Sequence, residues 1–383
     1  MKIENVKTNT VPSLTWNWLK SNYDVISFEN EFTQYNPVIK NAAECEGVLI
    51  KDTCDVQKII KADFGSGVFN KANKKVKDTR NIDGTTNEKE DVSKIQDYQN
   101  HPLQNLINNT VKTPQFFVIE KSVSKPLVLY FDFEKPCISS QIIYAKENTT
   151  SSIIMLFSGK SPATLLQTKV YAESYANIKI IKAQLLDNKA LMLDDTQVFE
   201  EENANVHFSQ IELGSQHVNS GLFVNLNGYK ARFTSKVSYL CSKDQVLDMN
   251  HIVYHYGKKT ECNMKVDGTI KDNGQKSYRG TIDLKKGCCG AKGNEMEETL
   301  LLSPTAINKS LPVILCDEED VEGEHGATIG RLSSDILFYM QSRGISEKEA
   351  EVLISRAKIQ SSIDDIQNDS VKEQISNFLD NIL

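Results

Sequence analysis

The chemistry open to this 383-residue chain rests on a few thiols, imidazoles and carboxylates. Cys316 and His325 stand nine residues apart, with Glu324 directly before the histidine. A neutral imidazole is a borderline metal ligand that titrates near cellular pH, and a thiolate is a soft one. A free cysteine also serves as a small apolar filler, so Cys316 admits both readings. Glu324 offers a hard oxygen ligand or a base. Neighbours on a strand point to opposite faces, however, which makes Glu324 a solvated carboxylate rather than a companion of His325 within one chain. Cys288 and Cys289 lie between Gly287 and Gly290. Such a pair either holds sulfur or a metal transiently or simply lines a tight turn, the simpler reading. Cys262 falls in an alternating run and reads as core. His251 and His255 are four apart among Ile252, Val253, Tyr254 and Tyr256. Without the glutamate of H-E-x-x-H they predict the polar face of a strand, not a zinc site. No G-x-x-x-x-G-K-[ST] loop occurs, so the chain is not expected to hydrolyse ATP by itself.

Composition narrows the setting. Hydrophobic residues make up 39% and charged residues 25%, as in globular domains. The net charge of −7 argues against a nucleic-acid binder, which would show a basic face. The first residues hold no apolar core of signal-peptide length, and the greasiest run, around Leu300 to Leu302, is far too short to span a bilayer. A cytoplasmic protein with no membrane partner is therefore expected, its eight cysteines reduced. None forms a C-x-x-C pair, which argues against a preformed zinc or ferredoxin-type site.

The texture of the chain divides it into three regions that must position these groups. Residues 1–114 read as a helical or mixed N-terminal region, with Leu14, Trp16, Trp18 and Leu19 spaced for one face of a short helix. Within it, residues from about 65 to 112 are polar and predict a mobile surface segment. Residues 115–330 change to period two. Leu222, Val224 and Leu226 alternate with polar or aromatic neighbours, as do Ala231, Phe233, Ser235, Val237 and Tyr239. Many such runs between Asn, Gly, Asp and Ser turns predict strands with one buried face. No helical pattern separates them, which leaves a sandwich, a barrel or a β-solenoid. Residues 331–383 read as helical. Ser346 and Glu349 form a capping box; Ala350, Leu353, Ile354 and Ala357 make one apolar stripe, and Val371, Ile375, Phe378, Leu379 and Ile382 a second. Gly344 reads as the stop after Leu337–Met340.

Several ordered sub-motifs in the C-terminal part resemble one known family. Asp320-Val-Glu-Gly-Glu-His325-Gly-Ala-Thr-Ile-Gly330 is followed by Leu337-Phe-Tyr and Ser342-Arg-Gly-Ile345. Upstream stand Ser277-Tyr-Arg-Gly-Thr-Ile282 and Glu298-Thr-Leu-Leu-Leu302-Ser, with Ala306 and Pro312. Together, over roughly residues 215–360, they resemble the SufB/SufD family of iron–sulfur cluster assembly proteins. Gly326 after His325 is similar to the SufD branch, since SufB-like sequences carry Glu there. Glu324 departs from the pattern, its position being small or polar in many relatives.

The resemblance implies a right-handed parallel β-helix core, mainly β, with a C-terminal α-helical domain. It implies a non-catalytic scaffold subunit of a SufB–SufC–SufD-type complex, pairing through its β-helix with a SufB-like subunit or a second copy. A SufC-type ATPase would dock on the helical domain, for which Phe338, Tyr339, Arg343 and Gly344 are the candidates. The cargo would be a transient iron–sulfur cluster at the subunit junction, with His325, Cys316 and Glu324 as candidate assembly residues and His325 and Cys316 as metal ligands. The rival is a carbohydrate-active enzyme on a β-solenoid, which needs acids clustered on one rung and usually a secretory signal. The acids here are scattered.

Overall fold

A computed structural model describes residues 2–12, 21–51, 107, 110, 111 and 113–383. The expected tryptophan-bearing helix and the polar segment lie outside the described residues, apart from a few positions at the end of the latter. Five short strands come first: β1 (Lys2–Thr8), β2 (Asp24–Glu29), β3 (Thr33–Gln34), β4 (Val38–Ile39) and β5 (Val48–Lys51). From β6 (Gln115–Ile119) to β21 (Glu322–Arg331) every second strand pairs in parallel with the one a full turn later. The even-numbered strands build one sheet and the odd-numbered strands a second. The result is a parallel β-solenoid of about eight turns, the one surviving member of the three architectures that period two allowed. Residues stacked on adjacent turns are separated in sequence by 26 to 32 residues.

Alternation sends one set of residues into the lumen between the two sheets. The runs read from sequence, Leu222–Val224–Leu226 and Ala231 through Phe233 and Val237 to Tyr239, are buried there. The opposite faces are largely buried too. The first two strands of the chain, β1 and β2, form an antiparallel pair, and Asn9 and Ser21 beside them bond Asp248 and Arg279 on the outer face of the later turns. Turns stack as tightly as strands. A Cβ on Gly257 would lie 2.2 Å from the carbonyl oxygen of Gly228, so only glycine lets these two turns meet.

The C-terminal helices are α1 (Ser334–Ser342), α2 (Glu347–Asp364) and α3 (Asp369–Ile382). Gly344 ends the first with φ +84°, and the capping box of Ser346 and Glu349 opens the second, both as read from sequence. Val371, Ile375 and Leu379 of α3 pack with Ile359 and Ile363 of α2 against Ile154, Ile181, Ile211 and Leu240 on the outer face of the odd-numbered sheet. Of the stripe foreseen on α2 only Ala350 is buried, and Ile354 is half-buried. Leu353 and Ala357 are exposed, and Ser355, Ile359, Ser362 and Ile363 face the sheet. Serine lets the helix approach closely, and the Ser362 and Ser238 hydroxyls bond at 2.8 Å. Because Ile375 is fully buried in this layer, Ile375→Ala is expected to cost about 2–5 kcal/mol in denaturant unfolding. A loss well below that range would show that the helices are not held on the sheet.

Candidate functional site

The solenoid ends at an open turn. Among the described residues, strands β20 (Ile307–Cys316) and β21 each have a neighbour on one side only, β18 (Gln275–Leu284) and β19 (Lys292–Leu301). Their outer edges present unpaired backbone groups, and Pro312 removes one donor from β20, a residue tolerated only on an edge.

Register fixes which residues of this turn face the lumen. Gly323, His325 and Ala327 lie over Gly293, Glu295 and Glu297 of β19, the last two buried. A Cβ on Gly323 would touch Ile314 and Leu284 of the other sheet, whereas one on Gly326 would meet exposed Met296 outside. His325 therefore stands on the lumen face and Glu324 on the outer face, both exposed. Cys316 lies over Leu284, itself in register with lumen-facing His255. It is exposed, its thiol 3.0 Å from the Glu318 carbonyl oxygen. Exposed as it is, with no further turn over it among the described residues, Cys316 does not act as a core filler within them. Thus the two predicted ligands share one end of one lumen, on opposite sheets, and Glu324 does not join them.

Cys288 and Cys289 occupy the turn before β19, as read. The Cys288 thiol is buried and pushed up to about 12, chiefly by burial and then by Glu318. The Cys289 thiol donates to Asp320 at 2.7 Å. Among the described residues no three His, Cys, Asp or Glu side chains converge on a metal geometry within this single chain. On the helical domain Phe338 and Tyr339 are 73% and 60% exposed, and Arg343 lies over the Tyr339 ring at 5.3 Å. Ile336 and Leu353 add exposed apolar surface nearby in the sequence of α1 and α2.

Sequence reasoning missed the polar filling of the lumen beneath this end. Lys276 of β18 pairs with Glu297 of β19, and Ser310 of β20 donates to the same carboxylate. Burial pulls Lys276 below the usual lysine range. Glu295 lies directly under His325, its carboxyl raised to about 7 by burial and by Glu297. It fits only because Gly280 opposite has no Cβ, which would stand 2.4 Å from the Glu295 carboxyl carbon. The parity that placed Ile282 and Leu284 inside also places Lys276 inside, so this layer was readable in principle.

His251 and His255 share a strand face, as foreseen, but that face is the lumen and not a polar surface. His255 Nδ1 lies 2.8 Å from the Thr260 hydroxyl, which donates to the Gly257 carbonyl. Nδ1 therefore carries the proton, and Nε2 accepts from the Cys262 thiol at 3.2 Å. Cys262 is core, as read, and burial raises its thiol to about 12. Burial lowers His255 to about 4 and His251 to about 3. Both stay neutral in the fold while an unfolded imidazole protonates near 6.5. Stability is therefore intact above pH 6.5 and falls as pH drops toward 4, by up to about 1.4 kcal/mol per pH unit for each histidine. Denaturant midpoints across that window should show the slope, shallower by one proton in His251→Phe. An unchanged slope would mean that His251 is protonated in the fold.

The described residues thus form a parallel β-solenoid with a helical cap and an exposed thiol and imidazole at its open end. Residues 134–358 match the family model described as SUF system FeS cluster assembly, SufBD core domain. The match covers more than half of the chain, which belongs to the SufBD family. Over 156 residues it is 27% identical to the iron–sulfur cluster assembly protein SufD of Bacillus subtilis, covering 41% of this chain and 36% of that protein. A SufBD family protein of Staphylococcus epidermidis is 27% identical over 179 residues, 47% of this chain and 38% of the relative. One from Mycobacterium bovis is 24% identical over 192 residues, 50% of this chain and 23% of the relative. The chain thus spans well under half the length of these relatives.

Proposed function

We propose that this chain is a SufD-like scaffold subunit of a SUF-type iron–sulfur cluster assembly complex. It pairs through its open end with a SufB-like subunit or a second copy, and its helical domain docks a SufC-type ATPase. The observation that carries the proposal is the joint placement of Cys316 and His325 on the lumen face of the last turn, between two unpaired edges. A partner pairing with those edges encloses both groups at the junction and can supply the remaining ligands. Thiolate and imidazole are both competent for iron.

The chain carries no Walker loop, so energy comes from the ATPase. In this reading, ATP-driven closure of the ATPase subunits shifts the paired solenoids and opens the junction to iron and sulfur. Exposed Phe338 and Tyr339 suit the ATPase contact, being large aromatic groups that stay mostly exposed even with Arg343 over the Tyr339 ring. Anaerobic copurification from the native host tests this. The intact chain should retain a Walker-A ATPase, and Phe338→Glu with Tyr339→Glu should release it without changing thermal unfolding. Retention by the double variant would move the contact elsewhere, and the absence of any ATPase would overturn the assignment. No helix among the described residues is long and apolar enough to cross a membrane.

A further inference from the structure

One corner of the solenoid changes charge along its length. The turns joining the even-numbered strands to the next odd-numbered ones stack by backbone bonds, Asn203 to Tyr229, Lys230 to Lys258, Lys259 to Cys289 and Gly290 to Asp320. The earlier turns carry Glu147, Glu173, Glu201 and Glu202, and the last carries Asp317, Glu318, Glu319 and Asp320. Between them stand Lys230, Lys258, Lys259 and Lys286, all exposed. None of these four pairs with a carboxylate among the described residues, whereas their neighbour Lys285 is held by Asp283 at 2.7 Å over the Tyr254 ring. Tyrosines interleave the band: Tyr229 lies 41% exposed under Lys230, and Tyr256 stacks on Tyr254 at 6.0 Å.

We propose that Tyr229, Lys230, Tyr256, Lys258, Lys259 and Lys286 form a docking band for a short acidic segment of a partner protein. Charge complementarity selects this occupant. The chain is −7 overall, so an acidic partner is repelled by much of its surface and steered to this corner, where four cations lie together without a carboxylate partner among the described residues. The band is only three turns long, about 10 Å at the spacing of stacked strands. A nucleic-acid backbone longer than that would run onto the glutamates on one side or the Asp317–Asp320 turn on the other, whereas a segment with a few carboxylates fits between. The two acidic rims fix register by repelling a misplaced partner. The band ends beside Cys289, so its occupant docks next to the turn that leads to the open end.

The test uses the full chain and a fluorescein-labelled glutamate-rich peptide, read by anisotropy at low salt. Reversing the four lysines (K230E, K258E, K259E, K286E) should weaken binding by about tenfold or more. Reversing four exposed lysines elsewhere (K121E, K135E, K160E, K189E), an identical change in net charge, should weaken it far less. If the first variant fails to unfold cooperatively, its Lys→Gln counterpart carries the comparison. Equal losses in both variants would overturn the proposal by showing only a net-charge effect. Tighter binding of a charge-matched single-stranded RNA would overturn it in favour of a nucleic acid. Self-association abolished by the band reversal would overturn it in favour of a second copy.

Discussion

Glu297→Ala is expected to destabilise the fold by about 3–5 kcal/mol, the cost of leaving a buried charge without its partner. Lys276 is fully buried, and its ammonium is held by Glu297 and by the Asn308 side-chain oxygen at 3.0 Å. Removing the carboxylate takes away the ammonium's directly bonded acid and leaves it Asn308 and, without a direct bond, the Glu295 carboxyl in the lumen just below the open turn. The same reasoning predicts that Lys276→Met combined with Glu297→Leu recovers most of the loss, since apolar groups of similar size remove both charges together. Denaturant unfolding of the two single variants and the double variant forms the cycle that checks this. A loss under about 1 kcal/mol for Glu297→Ala would mean that water reaches the pair. An analogous layer stands deeper in the solenoid, where Lys182 bonds Asp194 at 2.7 Å and Thr196 at 2.7 Å.

His325→Ala is expected to lower the maturation of iron–sulfur enzymes in the host by about tenfold or more, the scale seen even when only the support of a metal ligand is lost. The exposed ring makes no hydrogen bond or ion pair among the described residues, so the melting temperature and ATPase copurification should not change. Cys316→Ala should produce a comparable defect, whereas Glu324→Gln, on the outer face, should have little effect. Enzyme activities in cell extracts, compared with thermal unfolding of each purified variant, separate a ligand role from a structural one. Normal maturation in His325→Ala would remove it from the site.

Much of this was legible because a solenoid writes its inside and outside into alternate residues. Leu222, Val224, Phe233 and Val237 are lumen residues for the reason their spacing suggested. Period two could not separate a solenoid from a sandwich, and the turn signal that might have done so is blurred. The repeated left-handed turn position holds Asn148, Tyr175, Asn203, Lys230, Lys259 and Gly290 in succession, and the repeat length drifts between turns. Helix α2 misled because exposed Leu353 looks like core and packed Ser362 does not. His251 and His255 misled for the opposite reason, since polar groups also fill this lumen. For the candidate site, the signature singled out His325, and Cys316 was chosen for its thiol; that both face the lumen of the last turn was not readable, because β20 and β21 belong to different sheets.

Iron K-edge absorption of the anaerobically isolated complex reads the ligands at the open end. The expected spectrum shows sulfur scattering accompanied by a light-atom ligand, with the light-atom contribution reduced in His325→Ala and the sulfur contribution reduced in Cys316→Ser. Iron bound in normal amount, with a spectrum unchanged by either substitution, would contradict assembly at the open end of this chain.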